Sequence, residues 1–106
     1  MITKELLEII EKIDKNLIEY FSDLNQSDRE KVLSRNLKLT EEVWELASDV
    51  LQKFYKRRVT VFNEQNLKEE FADVVINTLL LAKSMNLDIN ECLKLKLDKI
   101  KNRGGI

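Results

Sequence analysis

The chain has no histidine, no proline, one cysteine and two glycines among its 106 residues. Without histidine there is no histidine metal ligand, no histidine general base and no Ser-His-Asp triad. The single cysteine, Cys92, excludes a disulfide within the chain and a zinc site built from several cysteines. Any catalysis must therefore depend on carboxylates, lysine, arginine, tyrosine or a metal ion.

What is present favours helices. Charged residues make up 35% of the chain and hydrophobic residues 43%, with little glycine or proline to interrupt them. The net charge of −1 has both signs interspersed, so we expect no nucleic-acid-binding face and no membrane-binding patch. The longest apolar run, around residues 74–82, is too short to span a bilayer. No segment of signal-peptide type is visible at the N-terminus, so we expect a cytoplasmic protein.

Apolar periodicity predicts an all-α protein, a four- to five-helix antiparallel bundle with short loops. The first helix is expected over residues 4–24. The second begins at a capping box at Ser27 and either continues to about residue 56 or bends near Asn36. Its predicted apolar face consists of Leu39, Val43, Leu46, Val50 and Phe54. We interpret residues 59–65 as a loop, Asn66 as the cap of a third helix ending near residue 85, and residues 88–102 as the last helix.

The third helix carries a narrow polar stripe on an otherwise apolar surface. At 100° per residue, Glu70, Asp73, Asn77 and Ser84 lie within an arc of about 60°. A helix that is apolar on nearly all sides is normally buried. Its carboxylates must then be protonated or meet cations, because an unpaired buried charge is very costly.

A second acidic group, Glu41, Glu42 and Glu45, lies on the preceding helix. Glu42 and Glu45 are three residues apart, as are Glu70 and Asp73, so each pair shares a helix face. If the two helices are antiparallel neighbours, the pairs meet, and an oxygen-only ligand set favours Mg²⁺, Mn²⁺ or Ca²⁺. Two alternatives stay open: the first group forms a solvated helix face, or the second pairs with lysine and arginine.

At these residues the chain resembles the MazG-like, all-α nucleoside triphosphate pyrophosphohydrolases. The signature of that family is EExxE, followed after a variable gap by ExxD. Here the motifs read Glu41-Glu42-Val43-Trp44-Glu45 and Glu70-Phe71-Ala72-Asp73. The resemblance covers about residues 36–106 and includes the basic ending before Gly104-Gly105. It predicts one domain over residues 1–106, with an N-terminal helical extension (1–35) and a catalytic core (36–106).

The resemblance implies hydrolysis of a nucleoside or deoxynucleoside triphosphate to the monophosphate and pyrophosphate, as in house-cleaning of nucleotide pools. It implies Mg²⁺, with Mn²⁺ as an alternative, bound by Glu42, Glu45, Glu70 and Asp73. Glu41, Glu42 and Glu45 would be catalytic, with Glu41 ordering or deprotonating the attacking water. The expected substrate contacts are Lys38, Asn77, Lys96, Lys99 and Arg103. A homodimer or homotetramer is also implied.

Other interpretations of the same residues remain open. Lys96, Lys99 and Arg103 also suit the negative end of a helix dipole, and Asn77 could cap a backbone group. The protein could be an enzyme like phosphoribosyl-ATP pyrophosphohydrolase. It could also be a non-enzymatic helical interaction module whose acidic stripe only pairs with basic groups.

Overall fold

The computed structural model describes residues 1–55 and 62–104, and these residues form four α-helices and no strand. The helices are α1 (Lys4–Tyr20), α2 (Asp28–Tyr55), α3 (Glu64–Ser84) and α4 (Ile89–Gly104), with a 3₁₀ turn at Ser22–Leu24. The predicted all-α class is confirmed. Within the described ranges, no helix has the length and apolarity needed to cross a membrane.

The observed helix caps agree with the predicted start of α2 and differ from the predicted start of α3. Ser27 caps α2 as predicted, because its Oγ accepts from the Glu30 N–H at 3.2 Å. The second contact of the predicted box joins the two side chains, with Ser27 Oγ donating to Glu30 Oε1 at 3.1 Å. Helix α2 then continues without a bend assigned at Asn36. The cap of α3 is Asn63, whose Oδ1 accepts from the backbone N–H of Asn66 at 3.1 Å.

The cap predicted at Asn66 is therefore wrong by one turn. Asparagine is a good cap at either position, and the helix begins three residues before the buried Leu67. The end of the predicted loop, Glu64 and Gln65, is helical, while residues 56–61 lie outside the described residues. The first helix also ends early, at Tyr20, and continues only as the 3₁₀ turn.

Helices α2 and α3 pair antiparallel and form the main packing contact. At one end Arg35 Nη1 donates to the carbonyl of Leu80 at 3.2 Å. At the other end Lys53 Nζ lies 3.5 Å from Glu64 Oε2. Residue numbers thus rise along α2 as they fall along α3, which places the two acidic motifs at the same level.

Helix α1 covers the C-terminal half of α3. The small core consists of Ile10, Leu79 and Leu80, each no more than 4% exposed. A buried ion pair joins α1 to α2: Arg35 Nη2 lies 2.7 Å from Asp14 Oδ1, and both side chains are 13% exposed. Since Arg35 also binds α3, this one guanidinium connects three helices.

Much apolar surface stays exposed in the single chain. On the predicted apolar face of α2, Val43 and Phe54 are exposed, so the prediction is wrong for these two residues. On α3, Phe71 and Val75 are also exposed, so the helix is not buried on all sides. This surface suits packing against a further protein chain.

Helix α2 also carries a second apolar stripe that the sequence reading missed. Its seven positions follow the alternating four- and three-residue spacing of a coiled-coil seam, and all are exposed. We call this set the heptad seam: Leu33, Leu37, Thr40, Trp44, Ala47, Leu51 and Phe54. Trp44 is 77% exposed and is therefore not a core residue of the single chain.

Helix α4 departs from the other three and makes at most a marginal contact with any of them. Its start is held by Asn90, whose side chain accepts from the Ile2 N–H at 2.9 Å and donates to the Ile2 carbonyl at 3.0 Å. The radius of gyration is 16.8 Å, against about 13 Å for a compact domain of this size. Antiparallel packing is established for α2 and α3, and α1 packs against α3.

The Asp14–Arg35 pair gives a stability prediction. Asp14→Ala leaves a largely buried guanidinium without its carboxylate, so we expect a loss of about 3 kcal/mol in the free energy of unfolding, measured by urea denaturation. Asp28→Ala is the matched control, because its pair with Lys31 is long, at 3.8 Å, and exposed. It should cost about 1 kcal/mol or less. Equal losses in the two variants would contradict the role given to Arg35.

Candidate metal centre

Three carboxylates meet where α2 and α3 pair. Glu42 and Glu45 from α2 and Glu70 from α3 each offer an oxygen atom, and these oxygens lie within 4.8 Å of one another. Glu42 is only 6% exposed, and Glu45 and Glu70 are half-buried. The structure thus brings together three of the four predicted metal ligands.

The helices fix this arrangement. Glu42 and Glu45 are three residues apart in α2, so both project from one face toward α3. Helix α2 contains neither glycine nor proline along its 28 residues. The acidic positions therefore sit on a continuous helix and not on a loop, which gives a more precise site.

Two carboxylate oxygens of this group are buried and have no hydrogen-bond partner among the described residues: Glu42 Oε2 and Glu70 Oε2. A buried oxygen left in this way is costly, especially when it carries charge. The other oxygen of Glu42, Oε1, lies 3.1 Å from Lys38 Nζ. The orphaned oxygens and the oxygen-only donor set fit a hard divalent cation such as Mg²⁺ or Mn²⁺.

The electrostatics of the group point the same way. The charge of Glu42 is the main cause of a raised pKa at Glu45, with loss of water and the charge of Glu41 adding to it. Burial is the main cause of a raised pKa at Glu70, and the neighbouring negative charges raise it further. Without a metal, the carboxyls of Glu45 and Glu70 therefore hold their protons more tightly than isolated carboxyls do.

Asp49 is an acidic neighbour that the sequence reading missed. After burial and Glu45, its negative charge is the next cause of the raised pKa of Glu70. Its Oδ2 accepts a hydrogen bond from Asn66 Nδ2 at 2.7 Å, which fixes the carboxylate against α3. The signal was present in the sequence, since Asp49 follows Glu45 by four residues and shares its helix face.

Asp73 and Asn77 lie on the predicted polar stripe, and both are half-buried. Asp73 is outside the group of three, although its charge contributes to the raised pKa of Glu70. Asn77 Nδ2 donates to the backbone carbonyl of Asp73 at 2.8 Å, as in the capping alternative. Metal binding by Asp73 and substrate binding by Asn77 stay predictions.

Lys38 provides positive charge beside the carboxylates. Its Nζ lies 3.1 Å from Glu42 Oε1 and 3.6 Å from Glu41 Oε2. The hydrogen bond to Glu42 is the largest cause of the raised pKa of Lys38. Glu41 has a 57% exposed side chain, so it borders the group from the solvent side.

The three predicted basic contacts on α4, Lys96, Lys99 and Arg103, are exposed. Helix α4 does not pack beside the α2–α3 pair that carries the carboxylates. A phosphate contact from these residues therefore stays a prediction.

Comparison with known proteins adds one finding. A family model described as the MazG nucleotide pyrophosphohydrolase domain matches residues 30–104. Both acidic motifs fall inside that range, whereas α1 and the 3₁₀ turn precede it. No match was found among curated proteins or among solved structures.

The raised carboxyl pKa values predict how metal-free stability depends on pH. Between the ordinary pKa of glutamate and the raised pKa of Glu70, the folded state binds more protons than the unfolded state, so stability falls as pH rises through that window. Glu70→Gln should therefore have a higher melting temperature than the wild type at pH 7–8, and the gap should close near pH 4. Glu69→Gln, on the exposed neighbour, should show no such gap. A Glu70→Gln advantage that is independent of pH would argue against charge repulsion.

Proposed function

Since the chain belongs to the MazG nucleotide pyrophosphohydrolase family, we propose that it hydrolyses a nucleoside or deoxynucleoside triphosphate to the monophosphate and pyrophosphate. The observation that carries the proposal is the pair of buried oxygens on Glu42 and Glu70, which have no hydrogen-bond partner in the described part of the chain and belong to an oxygen-only group. In this reaction water attacks the α-phosphorus, the bond to the α,β-bridging oxygen breaks, and pyrophosphate leaves. The proton of the water passes to a carboxylate.

Glu42, Glu45 and Glu70 would hold Mg²⁺, with Asp73 as the predicted fourth ligand and Asp49 as a neighbouring negative charge. When bound, Mg²⁺ would neutralise phosphate charge and lower the pKa of a coordinated water. The two helices would contribute mainly position, because their carboxylates are fixed before substrate arrives.

Glu41 and Lys38 suit the remaining roles. Glu41 is solvent-exposed at the edge of the group, so its carboxylate can accept the proton of an attacking water. Lys38 has three N–H donors. It can keep its hydrogen bond to Glu42 and still donate to a phosphate oxygen.

We also infer that the enzyme works as a homo-oligomer in which a second copy covers the heptad seam. Seven exposed positions with coiled-coil spacing extend over three heptads. The core of the single chain is small, and α4 has little to pack against within it. Nucleotide-pool house-cleaning in the cytoplasm is the role we expect for the enzyme.

A nucleotide panel tests the activity. The protein is incubated with Mg²⁺ and each common nucleoside and deoxynucleoside triphosphate, together with phosphoribosyl-ATP, and products are separated by anion exchange. We expect monophosphate and pyrophosphate in equal amounts from at least one nucleotide. Turnover of phosphoribosyl-ATP alone would assign the related activity instead. No turnover, together with no Mg²⁺ or Mn²⁺ binding by calorimetry, would sink the proposal.

Ligand variants test the site. Glu42→Gln and Asp73→Asn should each lower kcat/KM by about 100-fold or more while the far-ultraviolet circular dichroism stays helical. Glu69→Gln is the matched control, since it lies next to Glu70 in sequence and is exposed. Wild-type turnover in Glu42→Gln would remove Glu42 from the ligand set, and the same result for Asp73→Asn would remove Asp73.

The heptad seam gives a separate prediction. Leu51→Glu places a charge in the middle of the seam, so we expect the mass measured by light scattering to fall to that of one chain, 12.5 kDa. Leu24→Glu changes a leucine that is also exposed, at 61%, but lies off the seam. It should leave the mass unchanged. An unchanged mass for Leu51→Glu would exclude the seam as the interface.

A further inference from the structure

A cavity of about 640 Å³ lies beside the carboxylates. It is an open cavity lined by the C-terminal end of α1, the turn that follows, the first turns of α2 and the C-terminal half of α3. The volume falls in the range of cavities that hold small molecules. Lys38 lines the cavity, and its Nζ lies 3.1 Å from Glu42 Oε1, so this side chain connects the cavity with the acidic group.

The lining has the composition of a site for a flat, partly polar molecule. Leu17, Phe21 and Leu80 provide apolar walls, and Phe21 contributes an aromatic ring. Asn25 and Gln26 add side-chain amides, which can both donate and accept. Apolar faces with a few convergent polar groups are typical of ligand sites.

The order of residues along α2 indicates how a ligand would be oriented in the cavity. Ser34, Arg35 and Lys38 line the cavity, and Glu42 and Glu45 follow on the same helix face. From Ser34 to Glu42 the distance along the helix axis is about 12 Å, at 1.5 Å per residue. A molecule with an uncharged ring at one end and phosphates at the other would therefore match the face, with its phosphates toward the carboxylates.

One wall of the cavity lies outside the matched family domain. Its apolar part comes from α1, and the turn at 22–26 completes it, whereas the family match begins at residue 30. The wall is held in place, because the Asp14–Arg35 pair joins α1 to α2 and Arg35 also binds the carbonyl of Leu80. Arg35 also lines the cavity, so the residue that connects the helices forms part of the cavity surface as well.

We propose that the segment 17–26 is the nucleoside-selecting wall of the enzyme, with the ring of Phe21 against the base and the amides of Asn25 and Gln26 toward its polar edge. This inference rests on the proposed function, because it assigns the cavity to the nucleoside of the same substrate. It gives the N-terminal extension a role in choosing the substrate and leaves the hydrolysis itself to the carboxylates.

A cavity-filling variant separates nucleoside binding from triphosphate binding. Ser34→Trp places an indole in the cavity from α2, and Ser34 is exposed at the rim, so the fold should tolerate it. We expect KM for the preferred nucleotide to rise about tenfold or more. Inhibition by tripolyphosphate, which has no nucleoside, and Mn²⁺ affinity measured by calorimetry should stay unchanged. Arg29→Trp puts the same ring on an exposed part of α2 outside the cavity lining and should change none of the three.

The outcomes are distinguishable. An unchanged nucleotide KM in Ser34→Trp would overturn the inference, as would an equal weakening of nucleotide and tripolyphosphate. A changed oligomer mass with an unchanged KM would assign the cavity to subunit packing and overturn it as well. If the wild type neither hydrolyses a nucleotide nor binds tripolyphosphate, the proposed function is wrong, and the inference that rests on it is wrong as well.

A second variant covers the case in which Ser34→Trp does not fold. Phe21→Ala removes a ring that is 43% exposed, so it should leave the helical core intact. Loss of base stacking should raise the nucleotide KM about tenfold with no effect on tripolyphosphate. Tyr20→Ala removes the neighbouring ring, which meets Phe21 edge-on with 4.8 Å between ring centroids but is 78% exposed and outside the lining. Its effect should be much smaller, because the Phe21 ring stays in the cavity wall. Equal effects of the two variants would contradict a contact between Phe21 and the base.

Discussion

The repulsion among acidic side chains at the α2–α3 contact is the constraint on which the rest of the structure depends. Three carboxylates share a few ångströms, and the charges of Asp49 and Asp73 add to the field at Glu70. Such a group destabilises the fold unless protons or cations neutralise it. The protein retains it at the centre of its best-packed helix pair, where α2 and α3 hold the oxygens fixed. Binding of the proposed metal ion between these carboxylates would relieve the repulsion and so restore stability to the fold.

The polar contacts around the group explain how the two helices tolerate it. Lys38 neutralises one side of Glu42, and Asn66 holds Asp49. Beyond the acidic positions, Arg35 crosses to the Leu80 carbonyl. Among the buried side-chain oxygens and nitrogens of the described residues, only Glu42 Oε2 and Glu70 Oε2 lack a hydrogen-bond partner. Buried carboxylate oxygens that lack a donor, in a group of like charges, are the chemistry expected of a cation site.

The sequence predicted the helices and most of the acidic group because both depend on short-range spacing. Residues three apart on a helix share a face whatever the tertiary packing, so Glu42 and Glu45 were identifiable. The cap of α3 was not, because Asn63 and Asn66 are equivalent as caps and burial of Leu67 favours the first. The exposed stripe on α2 was also missed, since both stripes are apolar and only tertiary packing decides which one faces the chain's own core. The cavity required knowing how α1 crosses α3, which long-range contacts such as Asp14–Arg35 determine.

Helix α2 carries two surfaces, the heptad seam and the face with Glu42 and Glu45, and these point in nearly opposite directions. At 100° per residue, Glu42 and Glu45 lie roughly 130–170° from the centre of the heptad seam. A second copy packed on the seam would therefore leave the carboxylates and the cavity open to substrate. It would also bury Trp44 and Leu51, which the single chain leaves in water, and so add stability that offsets the acidic repulsion. This division requires an uninterrupted helix, because a kink would rotate one surface relative to the other. The absence of proline from the chain, and of glycine from α2, is thus a condition for the site as much as for the fold.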